Sequence, residues 1–289
     1  MAVSVPPPYV RPATLAEALD ALGDGGDLGA PRLVVCGGTD VYPAHTTQPI
    51  SRPVLDISRV EGLRGVERTA DGGWRIGATT TWTDVAEASG LPAAFDGLRA
   101  AARAVGGRQI QNAGTVAGNI VNASPAADGT PNLLALDASV ELASAARGTR
   151  VVPLASFVTG YRSTGLAPDE LVTAVLVPPV DAAARSAFEK LGSRAYLVIS
   201  IVSVAAVVVA RDGVIADARV VVGACSPVPA RLRALEAALV GVDARSAAGV
   251  AEREHLDGLS PIDDVRAPAA YRDEAALVLV RRALEAVTR

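Results

Sequence analysis

The sequence predicts an α+β protein of two domains, and three observations lead to this prediction. Over residues 1–178, short runs of β-branched residues alternate with segments of helical periodicity. After Pro178 and Pro179 the pattern changes to long strand-like runs followed by helices, which indicates a small antiparallel sheet packed with helices. A chain of 289 residues is long enough for two cores. We therefore expect domains at 1–178 and 179–289, with a break between two subdomains of the first near residue 55.

The elements of the first domain follow from local signals. Thr14 and Glu17 form a capping pattern before a helix, and Pro178 ends the last strand. Residues 140–143 and 150–153 are expected to pair as strands across a turn at 146–148. In order, the expected elements are an extended segment at 6–12, a helix at 15–22, strands at 32–35, 54–57 and 74–82, helices from 83 and over 98–105, a long loop at 105–131, a helix at 131–136, and strands at 140–143, 150–153 and 170–177.

The second domain carries a hairpin signal. The turn Arg211-Asp212-Gly213 separates two β-branched runs, a pattern typical of paired antiparallel strands. Apolar residues at helical spacing follow. The expected elements are strands at 187–191, 197–210 and 214–223 and helices at 231–239 and 271–287.

Composition restricts the classes of function. Hydrophobic residues make up 50% and charged residues 20%, which is typical of a folded protein. A net charge of −4 argues against nucleic acid as the main partner. Two cysteines by themselves cannot ligate an iron–sulfur cluster or build a structural zinc site, and a content of two histidines argues against a metal-centred or histidine-driven mechanism. We therefore expect no metal site, and any metal redox chemistry is expected on another chain.

The sequence gives no sign of a membrane segment. The N-terminal residues lack a basic region followed by an apolar stretch, and so predict no signal peptide. The most apolar run, 197–210, is too short to span a bilayer and predicts a buried strand. We expect a cytoplasmic protein.

The loop at 105–131 carries the main functional prediction. It is poor in charge and bulk, and glycines there let a backbone approach a ligand closely. We expect consecutive amides in this loop to form a nest for a phosphate or diphosphate, with side-chain donors at both ends and Asp128 accepting from a ribose hydroxyl. The nest residues are Thr115, Val116, Ala117, Gly118 and Asn119. The segment therefore predicts a dinucleotide held by its diphosphate.

An ordered set of motifs covers nearly the whole chain. These are Cys36-Gly37-Gly38-Thr39-Asp40, the run at 115–119 with Ala123-Ser124-Pro125-Ala126-Ala127-Asp128, Asp169-Glu170-Leu171-Val172, the run at 188–194, Pro227-Val228-Pro229-Ala230-Arg231, and Asp264-Val265-Arg266 with Tyr271-Arg272. In order and spacing the set resembles the FAD-binding, or medium, subunit of the molybdenum hydroxylases. This family includes xanthine dehydrogenase, carbon monoxide dehydrogenase and aldehyde oxidoreductase.

The resemblance implies a fold and a set of cofactor contacts. The fold is a FAD-binding domain of two α/β subdomains, of the vanillyl-alcohol-oxidase type, with a C-terminal domain that closes over the flavin. Val105 and Val172 would pack against the cofactor, and Lys190 would approach the isoalloxazine or the diphosphate. Residues 115–119 would wrap the diphosphate together with Val35, Cys36, Gly37, Gly38, Thr39, Asp40, Val41 and Tyr42.

Several residues have a second interpretation. Asp128 fits a turn cap as well as a ribose contact, and Asp40 fits a helix cap as well as a cofactor contact. Lys190 is the only lysine among 27 lysine and arginine residues, which favours a need for a compact ammonium there, with chance as the rival. Tyr196 fits a ring that stacks on or gates the flavin and equally an aromatic at a strand edge. The family often has a glycine at Ala117.

The resemblance also implies an activity. The chain would be an oxidoreductase subunit that passes electrons from iron–sulfur clusters through FAD to NAD, dioxygen or a quinone, with no catalytic residue for the organic substrate. Its partners would be an iron–sulfur small subunit and a molybdopterin large subunit, in a heterotrimer or a dimer of heterotrimers. Two alternatives are a self-contained FAD-dependent oxidase or reductase of the same superfamily, and a binding protein that kept the fold without the flavin.

Overall fold

The computed structural model describes residues 7–23 and 31–289. Mixed helix and sheet confirm the predicted α+β class. Its helices are α1 (Leu15–Gly23), α2 (Val41–Ala44), α3 (Trp82–Glu87), α4 (Asp96–Ala104), α5 (Arg108–Ala113), α6 (Val116–Asn122), α7 (Gly129–Ala135), α8 (Leu154–Phe157), α9 (Arg233–Leu239), α10 (Ala247–Val250) and α11 (Ala269–Thr288). Its strands are β1 (Tyr9–Val10), β2 (Leu33–Val35), β3 (Val54–Asp56), β4 (Val66–Arg68), β5 (Trp74–Gly77), β6 (Ser139–Ser144), β7 (Gly148–Pro153), β8 (Val158–Gly160), β9 (Ser163–Thr164), β10 (Leu171–Val177), β11 (Ala184–Leu191), β12 (Val202–Arg211), β13 (Val214–Gly223) and β14 (Ala230–Arg231).

The N-terminal part is a small parallel sheet in the order β1-β3-β2. Ala18 and Leu22 of α1 are buried in a cluster with Leu55 and Ile57, so the apolar side of α1 covers this sheet. Pro6, the first residue of the expected extended segment, lies outside the described residues, and the strand found in that segment is β1. The glycine-rich bend at 36–40 follows β2 directly.

The middle part is a five-stranded antiparallel sheet in the order β4-β5-β10-β6-β7. The predicted pairing of 140–143 with 150–153 is confirmed, because β6 and β7 are antiparallel with Ser139 opposite Pro153. Helices α3, α4, α6 and α7 contribute to the cluster that buries Ile76, Leu142 and Val175 of this sheet. The middle sheet therefore supports the helices that carry the second glycine-rich segment.

The C-terminal part is an antiparallel sheet in the order β11-β12-β13-β14, with apolar residues on both faces. Along β12, Val204 and Val208 pack toward α9 and α11, whereas Ala205 and Val207 pack into the cluster of the middle part. Period-two alternation thus buries both faces of one strand. The predicted hairpin of β12 and β13 is confirmed, with Arg211 opposite Val214.

Several boundaries differ from the sequence predictions, and three elements differ for a clear local reason or by several residues. The strand expected at 74–82 ends at Gly77, and Trp82 begins α3, because Thr81 and Asp84 form a capping box there. The strand expected at 197–210 begins at Val202. The helix expected at 231–239 begins at Arg233, since Arg231 pairs with Val221 as part of β14.

The prediction of a long loop at 105–131 is wrong. It contains α5, α6 and the start of α7, with residues 123–128 between the last two helices. Glycine and asparagine have low helix propensity, but burial overrides that preference here. Gly129 lies so close to Trp82 that an added Cβ would be 2.2 Å from the indole ring. Only small residues fit against this ring, and the same small residues led to the prediction of a loop.

Among the described residues, no helix is long and apolar enough to cross a membrane.

Candidate functional site

A cleft of about 720 Å³ lies where the bend after β2, helix α6, the segment leading into α7, and the end of β11 meet. This volume is within the range of small-molecule sites. The residues from Leu33 to Val41 line it, and so do residues of α6. Lys190 and residues 197–199 of the C-terminal part belong to the lining as well.

The two glycine-rich segments touch each other beside this cleft. A Cβ added to Gly37 would lie 1.8 Å from the carbonyl oxygen of Ala113, so only glycine permits this approach. Gly38 has a φ of +67°, and the ring of Tyr42 covers the position that its Cβ would take. The first segment is therefore fixed against the turn that precedes α6. The expected convergence of the two bends is present.

The start of α6 is pinned by hydrogen bonds within the protein. Thr115 is the N-cap, and its Oγ1 accepts from the Gly118 amide at 3.0 Å. The Asn119 amide donates to the Thr115 carbonyl at 3.1 Å, and the Val116 amide donates to Thr80 at 3.0 Å. Three of the amides expected to form a nest therefore have protein acceptors. The predicted nest is instead the first turn of a helix.

Asn119 carries a buried oxygen that has no donor among the described residues. Its Oδ1 is excluded from solvent, and Asn119 lines the cleft. Leaving such an atom unsatisfied costs about 1–3 kcal/mol. The cleft therefore has a place for a donor from a bound molecule.

An ion pair lies at the floor of the cleft. Lys190 Nζ is 2.6 Å from Asp128 Oδ2, and the Ser200 hydroxyl donates to Asp128 Oδ1 at 2.6 Å. Asp128 is 5% exposed. Burial is the largest influence on its carboxyl group and raises the pKa, while Lys190 and Ser200 act in the opposite direction. Lys190 also donates to the Ala104 carbonyl at 3.2 Å.

Two further groups in the lining have shifted pKa values. Glu170 is held by Arg150 through Nε at 2.6 Å and Nη2 at 2.7 Å, which lowers the pKa of the carboxyl to about 2. The thiol of Cys36 is half-buried, and desolvation raises its pKa to about 11. A thiol of this kind stays protonated near neutral pH. Among the described residues, no group of three or more metal-ligating side chains is found.

The comparisons with known proteins decide the family. Residues 2–180 match the family model described as the FAD binding domain in molybdopterin dehydrogenase, and residues 186–287 match the carbon monoxide dehydrogenase flavoprotein C-terminal domain. The chain belongs to the FAD-binding subunits of the molybdopterin dehydrogenases. This finding confirms the resemblance inferred from the motifs, and the chain is an oxidoreductase subunit whose cofactor is FAD.

Relatives of this FAD-binding subunit match over most or all of their length. The xanthine dehydrogenase FAD-binding subunit of Escherichia coli O157:H7 is 35% identical over 79% of this chain and 77% of its own. The glyceraldehyde dehydrogenase medium chain of Sulfolobus acidocaldarius is 31% identical over 96% of this chain and 97% of its own length. A carbon monoxide dehydrogenase from Hydrogenophaga pseudoflava that lacks the Mo-pyranopterin moiety superposes with a TM-score of 0.86 at 27% identity, over 99% of this chain and 98% of that chain.

The described residues fit FAD. The contact of Gly37 with Ala113 keeps side chains out of the space beside both bends, and the Asn119 oxygen lacks a donor. Apolar side chains of Val105 and Val172 line the same cleft and suit a flat ring system.

Most of the predicted site residues line the cleft, and three do not. Those that line it are Val35, Cys36, Gly37, Gly38, Thr39, Asp40, Val41, Val105, Thr115, Ala117, Gly118, Asn119, Asp128, Val172 and Lys190. Val116 is fully buried in the core, because its position on α6 faces the middle sheet. Tyr42 is 61% exposed and lies over Gly38, and Tyr196 is 76% exposed. Asp40 precedes α2 without making a side-chain cap.

Sequence reasoning missed several lining residues. Arg162, Asn122 and Glu170 line the cleft, and Arg162 donates to Asn122 at 2.7 Å. Asn122 lies one helical turn after Gly118, so a helix assigned at 116–122 would have placed it on the same side. No pattern in the sequence signals Arg162, which lies 40 residues from Asn122 along the chain.

Proposed function

We propose that this chain is the electron-transfer flavin subunit of a multi-subunit molybdenum hydroxylase or dehydrogenase. Bound FAD accepts electrons singly and gives them up in pairs. The electrons come from iron–sulfur clusters on a small subunit, which receives them from a molybdopterin-containing large subunit. NAD, dioxygen or a quinone takes them from the flavin. The complex is a heterotrimer, with a dimer of heterotrimers as the assembled form.

The observation that carries this proposal is the match over full length to a medium chain. The glyceraldehyde dehydrogenase medium chain is covered over 97% of its length. By its name, this relative is one chain of a dehydrogenase that has several chains. This supports a division of labour in which the organic substrate is oxidised on another chain.

The cleft's own side chains support the same division. Three carboxyl groups from the described part of the chain line it, those of Asp40, Asp128 and Glu170. Asp128 is held by Lys190 and Ser200, and Glu170 by Arg150. A general base for an organic substrate needs a carboxylate or imidazole with a free lone pair aimed at the proton to be removed. Two of the three candidates in this cleft are committed to other partners.

The proposed roles of the residues follow from their places. The bends at 35–41 and 115–119 hold the diphosphate of FAD from two sides, and Val105 and Val172 pack on the cofactor. The Asp128–Lys190 pair contacts the cofactor from the floor of the cleft. Tyr196 is exposed and outside the lining, but residues 197–199 directly after it line the cleft, and from there its ring would stack on or gate the flavin. The chain divides into domains at 1–178 and 179–289, with the break between subdomains near residue 55.

The test is to purify this chain from cells that also express the proposed iron–sulfur and molybdopterin subunits. We expect this chain to co-purify with an iron–sulfur subunit and a molybdopterin subunit in equal amounts, with one FAD per copy. Reduction of the flavin by the organic substrate should require both partners. Turnover of an organic substrate or of NADH by this chain alone would contradict the proposal and favour a self-contained oxidase or reductase.

A further inference from the structure

The motif at 264–266 does not line the cleft, but Arg266 lines a second hollow that shares residues 197–199 with it. Asp264 Oδ2 accepts from Arg266 Nε at 3.0 Å, and Asp264 Oδ1 accepts from Arg272 Nη2 at 2.7 Å. The side chain and the backbone amide of Arg266 donate hydrogen bonds that hold the pKa of the Asp264 carboxyl well below its usual range. One carboxylate thus orients two guanidinium groups.

These two arginines donate hydrogen bonds to two consecutive backbone carbonyl groups just before β12. Arg266 Nη1 donates to the Ser200 carbonyl at 3.0 Å, and Arg272 Nη1 donates to the Ile201 carbonyl at 2.7 Å. Arg272 is fully buried, so these bonds compensate the burial of its charge. The backbone at 200–201 is therefore fixed in place by the C-terminal domain.

The fixed segment reaches the floor of the cleft through one hydroxyl group. Ser200 is fully buried and donates to Asp128 Oδ1, while Lys190 holds Oδ2. Asn132 donates to the Asp128 carbonyl at 2.9 Å and fixes its backbone. With Ser200 in place, the carboxyl group has an anchor on each oxygen and a single orientation.

We infer that Ser200 is a positioning residue for the flavin site, anchored by Arg266 and acting through Asp128 on Lys190. This inference rests on the proposed function, since it presumes FAD in the cleft. Without the Ser200 hydroxyl, the Asp128 carboxyl keeps one anchor and turns about its side-chain torsions. The Lys190 ammonium then loses its fixed place beside the cofactor.

The test compares Ser200→Ala with Ser203→Ala in the full chain. Ser203 is also fully buried, lies on β12, and its hydroxyl has no partner among the described residues. FAD affinity, the midpoint potential of the bound flavin and thermal stability are measured for both. We expect Ser200→Ala to bind FAD about tenfold more weakly and to shift the potential, because a hydrogen bond to a charged group is lost. Ser203→Ala should match the wild type in affinity and potential.

A double-mutant cycle separates positioning from a general effect on the fold. In an Asp128→Ala background, where no side-chain oxygen remains to accept from Ser200, Ser200→Ala should cause little further loss of affinity. Wild-type affinity and potential in Ser200→Ala, in a protein that does bind FAD, would overturn the inference alone. So would an undiminished Ser200→Ala effect in the Asp128→Ala background. A wild-type chain that binds no FAD would overturn the inference together with the proposed function.

Discussion

Lys190 Nζ lies 2.6 Å from Asp128 Oδ2, although the two residues are 62 positions apart in the chain. The pair joins β11 of the C-terminal part to the residue that precedes α7 in the middle part. Both side chains are largely buried, with 13% and 6% exposed. The single lysine of the chain therefore compensates a buried carboxylate at the floor of the cleft.

Lys190→Ala should lower both stability and FAD affinity. The substitution leaves Asp128 buried without its cation, and breaking a buried pair in this way costs about 3 kcal/mol. Urea unfolding and FAD titration measure the two effects. Arg108→Ala is the control, because Arg108 pairs with Glu87 on the surface, where such a pair contributes about 0–1 kcal/mol.

Adding Asp128→Asn to Lys190→Ala should restore part of the lost stability, since the buried charge is then removed. Wild-type stability and flavin affinity in Lys190→Ala would show that the pair with Asp128 contributes to neither and would contradict this prediction.

Asn119→Ala should weaken FAD binding without destabilising the protein that lacks FAD. The Asn119 oxygen is buried without a donor among the described residues, so its removal costs the free protein no hydrogen bond made by this atom. We expect a loss of about tenfold in FAD affinity, as for one hydrogen bond. Asn112→Ala is the control, since Asn112 is exposed and its side-chain oxygen accepts a hydrogen bond from the Thr83 hydroxyl. Lower stability with unchanged flavin affinity would show that Asn119 has a structural role only.

Gly118→Val should abolish retention of FAD. Gly118 lines the cleft, and the one heavy atom close to a Cβ there is Thr115 Oγ1 at 2.8 Å, so the added side chain enters the cleft or displaces the cap. The ratio of flavin to protein after purification measures the effect. Gly249→Val is the matched control, because a Cβ at Gly249 meets no atom within 4 Å. Full flavin occupancy in Gly118→Val would contradict the proposed place of the diphosphate.

Glu170 should make stability depend on acid pH. Its pKa is lowered from 4.5 to about 2, chiefly by hydrogen bonds from Arg150, so its contribution is complete above pH 4.5. The contribution is lost as the pH falls from 4.5 toward 2. In urea unfolding, Glu170→Gln should be about 2 kcal/mol less stable than the wild type at pH 7, with a smaller difference at pH 2.5.

Glu67→Gln is the control for this series, since Glu67 is exposed on β4. A constant difference between wild type and Glu170→Gln across this pH range would contradict the assigned contact with Arg150.

The hairpin of the C-terminal sheet was predictable from sequence because its signals are local. Runs of β-branched residues on either side of Asp212 and Gly213 specify the pairing of β12 and β13 without any tertiary information. The first bend was predictable for a similar reason, since paired glycines directly after a strand indicate a tight turn.

The segment at 105–131 was misjudged because its helices depend on tertiary packing. Small residues there allow close contact with Trp82, and a single sequence shows such residues only as poor helix formers. The contacts of Asp128 with Lys190 and Ser200 join positions 62 and 72 residues apart, which no local pattern encodes. The ordered motifs in the sequence were therefore enough to indicate the family. The contacts of Asp128 with Lys190 and Ser200 could be identified only from the folded structure.

The proposed binding mode of FAD places its diphosphate between the bends at 35–41 and 115–119. A crystal structure of the complex with bound FAD would locate the cofactor. We predict the diphosphate beside Gly37, Gly38 and Gly118, with a donor from the cofactor to Asn119 Oδ1. A flavin bound elsewhere, or a diphosphate away from both bends, would rule out this binding mode.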